Sequence, residues 1–343
     1  MNERVVVAMS GGVDSSVAAA LLKEQGYAVL GVTMQLWGKE VCVSSGSRRC
    51  CSVRDALDAR TVARQLGIPH ETLDLAQRFR SDLIDYFVES YRAGLTPNPC
   101  IACNDTIKFG ALLEYADRLG ASRIATGHYA RTAHDKARDR VRLRRAVDGR
   151  KDQAYVLFDL TQAQLARALF PLGALSKTDV RQLAKTLGLG TAEKPDSQDI
   201  CFIQDRDKTG FLRTALGIAS TAPLYVIALD PANNRLVVGR RAELLRRTLL
   251  AERVNWVSIA PPRQPIRSDV QIRSRHTPAP AWISRQPDGS VWVEFDDPQP
   301  AIAPGQAAVF FDGEEVLGGG WISPHAPDGD DALTFAHREA SCR

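Results

Sequence analysis

No run of the 343-residue sequence approaches the roughly 18 consecutive apolar residues that a membrane-spanning helix needs, although 44% of its residues are hydrophobic. A membrane partner is therefore not expected. The opening MNERVVVAMSGG has no basic leader, long apolar core or small-residue cleavage site, and it turns at once into an apolar strand pattern, so a cytoplasmic location is expected. No internal repeat is visible. The seven cysteines are odd in number and lack an export context, which argues against a structural disulfide framework and leaves reactive or metal-binding thiols as the open question. What remains is ordinary globular composition, 24% charged, in a chain longer than a single core usually supports, and two domains are expected.

A formal charge of +4 and a pI near 8.7 make the chain mildly basic, which suits a polyanionic partner without requiring one. The charge is unevenly spread. Between Arg131 and Asp152 stand nine Arg or Lys against four Asp, a local excess of five, and further arginines fall at Arg240, Arg241, Arg246, Arg247, Arg253, Arg273 and Arg275. Taken alone, such a run reads equally well as a solvated face and as a phosphate-binding surface.

The first half alternates strand and helix patterns: a strand at 4–9, a helix at 14–25, a strand at 28–34, a helix at 53–66, a strand at 70–75 and a long helix to about Tyr91. This order predicts an α/β fold, a parallel sheet covered by helices, with ligands beyond the carboxyl ends of its strands. TPNPCIACN, rich in Pro and Asn, reads as an ordered loop, followed by a helical pattern through Leu119 and the strand and turn SRIATGHYA. Past Asp205 the pattern shifts to short β runs at 224–229, 235–238, 270–272, 290–295 and 307–311, separated by Pro, Gly and Asn, which fits a small antiparallel barrel or sandwich. The tail after Ile322 lacks periodicity and is expected to be weakly ordered.

The most informative local feature is strand, SGGVDSS, helix. Gly11 and Gly12 allow a tight turn and a close approach of backbone to ligand, and Ser10, Ser15 and Ser16 place hydroxyls at a helix N-terminus whose amides favour an anion. Asp14 is positioned to reach a magnesium ion or to hold the loop through backbone hydrogen bonds. A glycine turn of this kind also serves for simple chain reversal, but two glycines, an aspartate and the serines in one such context point to pyrophosphate binding. The loop lacks the Lys-Ser/Thr ending of a Walker P-loop and resembles the PP-loop of ATP pyrophosphatases, which implies cleavage of ATP to AMP and pyrophosphate.

Cys100 and Cys103 form a CxxC in TPNPCIACN, and Cys201 stands in DSQDICFI. Flanking Pro, Asn, Asp, Ser and Gln place all three on loops rather than in a core, where a thiolate can act as nucleophile. SGGVDSS, CCSVRDALDAR, LGIPH, TPNPCIACNDTIKFG, ATGHYAR, KDQAYVLF, KPDSQDICFI, PGQAAVFFDG and LGGG follow one another in an order that resembles the bacterial tRNA 2-thiouridylase family (MnmA/TrmU) through most of the chain.

The resemblance implies an adenine nucleotide α-hydrolase-like PP-loop domain over residues 1–205, a central module at 206–223, a β-barrel tRNA-binding domain at 224–322 and a tail at 323–343. It implies a nucleotide site at Ala8, Met9, Ser10, Gly11, Gly12, Val13, Asp14 and Ser15, with Met34 and Gly127 bordering the adenine; the substrates would be ATP with Mg2+ and a tRNA wobble uridine in tRNAs for Lys, Glu and Gln. His128, beside Gly127, reads better as a structural histidine than as a base. Cys201 matches the residue that receives persulfide sulfur from a cysteine desulfurase or sulfur-relay protein, and Cys103 the nucleophile that leaves the pair as a disulfide. Asn98, Pro99 and Cys100 match a stretch that touches the target base, while Lys151, Asp152 and Gln153, and on the barrel Arg273 and Ser274, match tRNA contacts.

The chain departs from the family pattern at two places. Many members carry Asp where Cys100 stands, so acid–base work is not transferable to this position, and Cys100, Cys103 and Cys201 instead make a set able to hold a [4Fe–4S] cluster with one open iron. Both the persulfide cycle and the cluster remain open. Between FLRTALGIAS and PLYVIALD the GxHxG and YTxGQR segments are missing, so the central module is expected to be short. Cys42, Cys50 and Cys51 are read as part of an exposed insertion, and Cys342 as a surface thiol. Two rival functions stand beside this one: another PP-loop RNA thiolase or synthetase, and a non-catalytic tRNA-binding or sulfur-carrier protein.

Overall fold

The computed structural model of the protein describes residues 2–36, 53–195, 225–230 and 235–324. The chain divides into two compact units, Met1–Phe87 with Pro99–Gly217 and Val88–Asn98 with Ile218–Arg343. The expected central module at 206–223 and the tail beyond Ser323 and Pro324 lie outside the described residues.

In the first unit, β1 (Arg4–Ala8), β2 (Ala28–Gln35), β3 (His70–Asp74), β4 (Arg123–Ala125) and β7 (Ala168–Leu169) form a five-stranded sheet in the order β3-β2-β1-β4-β7, with every pairing parallel. Val5 and Val7 lie in one apolar core with α1 (Val13–Glu24) and α2 (Val53–Gln65), and Val6 between them is equally buried, so both faces of β1 are covered. This accounts for the unbroken apolar run of β1, which an exposed face would have interrupted. The chain leaves β1 toward β2 on one side and returns as β4 on the other. Such a reversal of strand order opens a crevice at the carboxyl ends of the two strands, and SGGVDSS and TGHY follow β1 and β4 there.

TPNPCIACN departs from the expected loop. Pro99 opens a helix, Pro99–Ala102, that continues as a π-helix over Cys103–Ala111 and then as α-helix over Leu112–Arg118. Proline suits the first helical position because its missing N–H would be unpaired there anyway. Gln164 Nε2 reaches the carbonyls of Asp105 (3.5 Å) and Phe109 (3.1 Å), which the widened turns leave to an outside donor. The basic run becomes a hairpin, β5 (Ala130–Asp135) and β6 (Arg140–Arg145), in which Asp135 lies 3.8 Å from both Arg138 and Arg142.

The second unit contains a closed antiparallel barrel of six strands, β10 (Leu245–Trp256), β13 (Val291–Pro300), β12 (Ala279–Arg285), β11 (Ile266–Gln271), β14 (Ala307–Asp312) and β15 (Glu315–Ile322), with β15 pairing back to β10. Leu249, Ala251, Val270, Ile283, Val293, Phe295 and Phe310 fill it. Closure explains the LGGG motif: a Cβ at Gly320 would sit 2.7 Å from the Glu252 carbonyl oxygen, so only glycine lets β10 approach β15 there. A separate hairpin pairs β8 (Tyr225–Asp230) with β9 (Arg235–Gly239).

Candidate functional site

The loop between β1 and α1 is shaped by one residue in the left-handed region. Gly11 has φ +70°, and a Cβ there would collide with the backbone carbonyl of Asp55 at the start of α2. Gly12 is the N-cap of α1 and supplies no side-chain acceptor, so the first amides of the helix are not capped by the protein. The serines divide in role. Ser16 is fully buried and donates to the Gly12 carbonyl at 2.8 Å, bracing the helix start instead of offering its hydroxyl to a ligand. Ser15 Oγ also donates to the Gly12 carbonyl, at 3.2 Å, but in addition accepts from the Ser10 amide at 3.2 Å and stands 3.4 Å from Ser10 Oγ, which keeps these two hydroxyls together at the loop.

Three partners missed in the sequence hold this loop. The carboxylate of Asp14 lies 2.7 and 2.8 Å from Lys177 Nζ and accepts from Tyr129 Oη at 2.7 Å, in place of the expected backbone bonds. Lys177 follows Ser176, the N-cap of the helix Lys177–Thr186, and no local pattern marks it as a partner of residue 14. Lys194, at the head of KPDSQDICFI, donates to the Gly11 carbonyl (2.9 Å), Asp55 (2.5 Å) and Asp58 (2.6 Å). Burial alone would lower its pKa, but the two carboxylates outweigh that and hold the ammonium above its ordinary value.

The TGHY loop closes the other side. A Cβ on Gly127 would be 2.8 Å from the Ser15 amide nitrogen and 3.0 Å from Asp14 Cβ, so this glycine lets the loop lie directly on the start of α1. His128 is buried; its Nδ1 is 2.7 Å from Thr126 Oγ1 and its Nε2 is 3.4 Å from Lys108 Nζ. Burial, reinforced by the Lys108 ammonium, drives its pKa well below the usual histidine range, and a buried neutral imidazole locked between two side chains orients the loop. Met34 is buried at the end of β2.

Lys108 belongs to the π-helix that Cys103 begins, so through His128 and Gly127 the cysteine helix and the phosphate loop share one connecting loop. Cys100 is exposed and Cys103 partly buried. Asn104 is buried and donates to the Val156 carbonyl at 2.8 Å, tying the cysteine helix to the segment after KDQ. Within KDQ, Asp152 accepts from the Ala146 amide (2.9 Å) and pairs with Arg145 (2.8 Å), while Gln153 Oε1 accepts from the Tyr129 amide (2.9 Å). The Asp152 and Gln153 side chains are thus committed to internal bonds, and Lys151 stands beside an open basic pocket with Arg150, Lys177, Arg181 and Lys185.

Arg273 and Ser274 are exposed on the turn after β11, where both their carbonyls accept from Gln271 Nε2 at 3.1 Å. Cys201, Cys42, Cys50, Cys51 and Cys342 lie outside the described residues. Among the described residues no group of three or more His, Cys, Asp or Glu is arranged to hold a metal; two of the three thiols considered for a cluster, Cys100 and Cys103, are among them. No helix among the described residues is long and apolar enough to cross a membrane.

Comparison with known proteins adds two kinds of match. A family model described as a tRNA methyl transferase HUP domain covers residues 3–205, and one described as an aminomethyltransferase beta-barrel domain covers 246–322. The tRNA-specific 2-thiouridylase MnmA of Nostoc punctiforme is 46% identical over 93% of this chain and 99% of its own length, and that of Heliobacterium modesticaldum is 47% identical over 94% and 93%. Identity at this level through both units, with the PP-loop and the CxxC helix in place, makes the chain a member of the tRNA-specific 2-thiouridylase (MnmA) family.

Proposed function

We propose that the protein is an ATP-dependent tRNA-uridine 2-sulfurtransferase acting on the wobble uridine of tRNAs for Lys, Glu and Gln. The observation that carries this reading is the near-full-length identity to 2-thiouridylases, and the chemistry of the loop supports it. ATP, entering with Mg2+, would set its phosphates against the uncapped amides of α1, among Ser10, Gly11, Gly12, Val13, Asp14 and Ser15, with Ala8 and Met9 beneath and Met34 and Gly127 beside the adenine. Uracil O2 attacks the α-phosphorus and displaces pyrophosphate. The oxygen, a poor leaving group as oxide, then departs as part of AMP when sulfur attacks C2.

Sulfur arrives on Cys201 as a persulfide from a desulfurase or relay protein. Attack of the Cys103 thiolate on the Cys201 Sγ breaks the S–S bond of the persulfide and releases sulfide, which enters C2 while the two cysteines remain as a disulfide. Two electrons from a thiol reductant reset the pair. A [4Fe–4S] cluster on Cys100, Cys103 and Cys201 is the competing sulfur carrier, supported by the third cysteine at position 100. Asn98, Pro99 and Cys100 would face the extruded base; Lys151, and on the barrel Arg273 and Ser274, would meet tRNA phosphates, with Asp152 and Gln153 fixing the backbone beside Lys151.

Mass spectrometry of tRNA nucleosides from cells lacking the protein tests the assignment: 2-thiouridine should disappear from these tRNAs, and its persistence at normal level overturns it. Release of AMP and pyrophosphate that depends on tRNA separates the enzyme from a non-catalytic tRNA binder, and full activity in iron-free protein removes the cluster.

A further inference from the structure

The PGQ motif has no part in the reaction just described, yet its geometry is highly specified. Gly305 has φ +85°, and a Cβ there would lie 2.8 Å from Leu95 Cβ and 3.0 Å from the Thr96 amide nitrogen, so both its conformation and its surroundings require glycine. The turn is pinned to the barrel: the Gly305 amide donates to the Ile322 carbonyl at 2.9 Å and the Ile322 amide to the Gln306 carbonyl at 2.8 Å. From this fixed base the turn grips a distant stretch of chain. The Thr96 amide donates to the Pro304 carbonyl at 2.8 Å, and Gln306 Nε2 donates to the carbonyls of Thr96 (3.1 Å) and Pro97 (3.4 Å). Residues 88–98 accordingly belong to the same compact unit as the barrel.

The gripped stretch runs straight into the cysteine helix. Pro97 is buried with its carbonyl held by Gln306, and the helix starts at Pro99. Only Asn98 separates them, and a residue before proline is confined to extended backbone while the φ of Pro99 is set by its ring. The joint between the clamp and Cys100 therefore has few soft torsions.

We propose that the Pro304-Gly305-Gln306 turn is a positioning clamp for the segment that begins the cysteine helix, with Gln306 as its positioning residue; its effect on sulfur transfer rests on the function proposed above. Gln306→Met keeps the side chain's length and removes both donors, and Gln306→Glu keeps its shape and sets a carboxylate against two carbonyls. Hydrogen exchange of the peptide 94–98 should rise about tenfold or more in both variants, since two hydrogen bonds worth about 0.5–1.5 kcal/mol each are lost, with exchange in β14 unchanged. Alkylation rates of Cys100 and Cys103 should shift at least threefold, and the kcat for thiolation should fall at least threefold with the KM for ATP unmoved. Alkylation and kcat equal to wild type despite faster exchange would reduce the turn to a structural contact and overturn the proposal, as would a raised KM for tRNA at unchanged kcat. If the wild-type protein forms no thiouridine, the proposed function fails by itself, while exchange and alkylation still decide the clamp.

Discussion

Replacing Lys194 by Met tests how the phosphate loop is held. The ammonium serves three acceptors, the Gly11 carbonyl and the carboxylates of Asp55 and Asp58, and its side chain is 28% exposed against 16% and 36% for the two aspartates. Charge-assisted bonds contribute about 1.5–3 kcal/mol when desolvated, and removing one partner of a buried ion pair costs about 3–5 kcal/mol. Solvent reaches Asp58, so screening discounts that range and a loss of about 2 kcal/mol is expected. For a unit of this size that lowers Tm by roughly 4–8 °C. The Gly11 carbonyl also loses its donor, and the KM for ATP should rise about tenfold. Because the folded pKa of Lys194 is raised, the stabilisation is complete at neutral pH and is lost only as pH climbs through that raised value, so the gap between wild type and variant should be constant from pH 7 to 8 and close in alkali. Thermal melts at several pH values, paired with ATP titration, provide the assay. A variant that melts within 1 °C of wild type and binds ATP with unchanged affinity would refute the idea that this lysine organises the loop.

Gly127→Ala should weaken ATP binding at least tenfold and cost about 1–3 kcal/mol of stability, since the added methyl meets backbone of α1 rather than a flexible side chain; calorimetric titration and melting check both. His128 stays neutral when folded, so below about pH 6.5 the unfolded chain takes up a proton that the native protein refuses. Stability should fall by up to about 1.4 kcal/mol per pH unit from there downward, and His128→Gln should flatten that part of the profile in urea titrations. Cys103→Ser and Cys201→Ser should each abolish thiolation while ATP binding persists, whereas Asp14→Ala should slow adenylation; radiolabelled pyrophosphate release separates the two steps.

What could be read from the sequence followed the range of the interaction. The SGGVDSS turn was legible because its glycines, strand and helix are neighbours in the chain, and Gly11 at φ +70° is what such a turn requires. Lys177 and Lys194 were not, since each meets the loop from more than 160 residues away and neither carries a local mark of that contact. The CxxC segment was misread for a different reason. Pro and Asn read as helix breakers, but Pro99 stands at the first helical position, where an N–H would have no intrahelical partner, and Gln164 supplies donors to the carbonyls of the π-helix that follows. Likewise β10, β12 and β15 escaped notice because arginines, prolines and glycines interrupt them, whereas in a closed barrel the partner strand makes those residues tolerable.

The two serines that looked alike show why residue type alone cannot assign a site. Ser15 and Ser16 are adjacent on α1 and both donate to the Gly12 carbonyl, yet a helix turns about 100° per residue, and only the Ser15 hydroxyl also meets Ser10. The same logic separates Asp14 from Asp55. Both carboxylates are held by a lysine, but Asp14 sits on the loop's own helix, facing Tyr129, while Asp55 belongs to the neighbouring helix whose carbonyl excludes a side chain at Gly11. Loop shape is therefore imposed by Asp55 of α2 and Lys194, and loop charge is set by Asp14 with its partner Lys177. Substituting the first pair should alter nucleotide affinity and stability together, whereas substituting the second should alter the chemical step with the smaller change in fold.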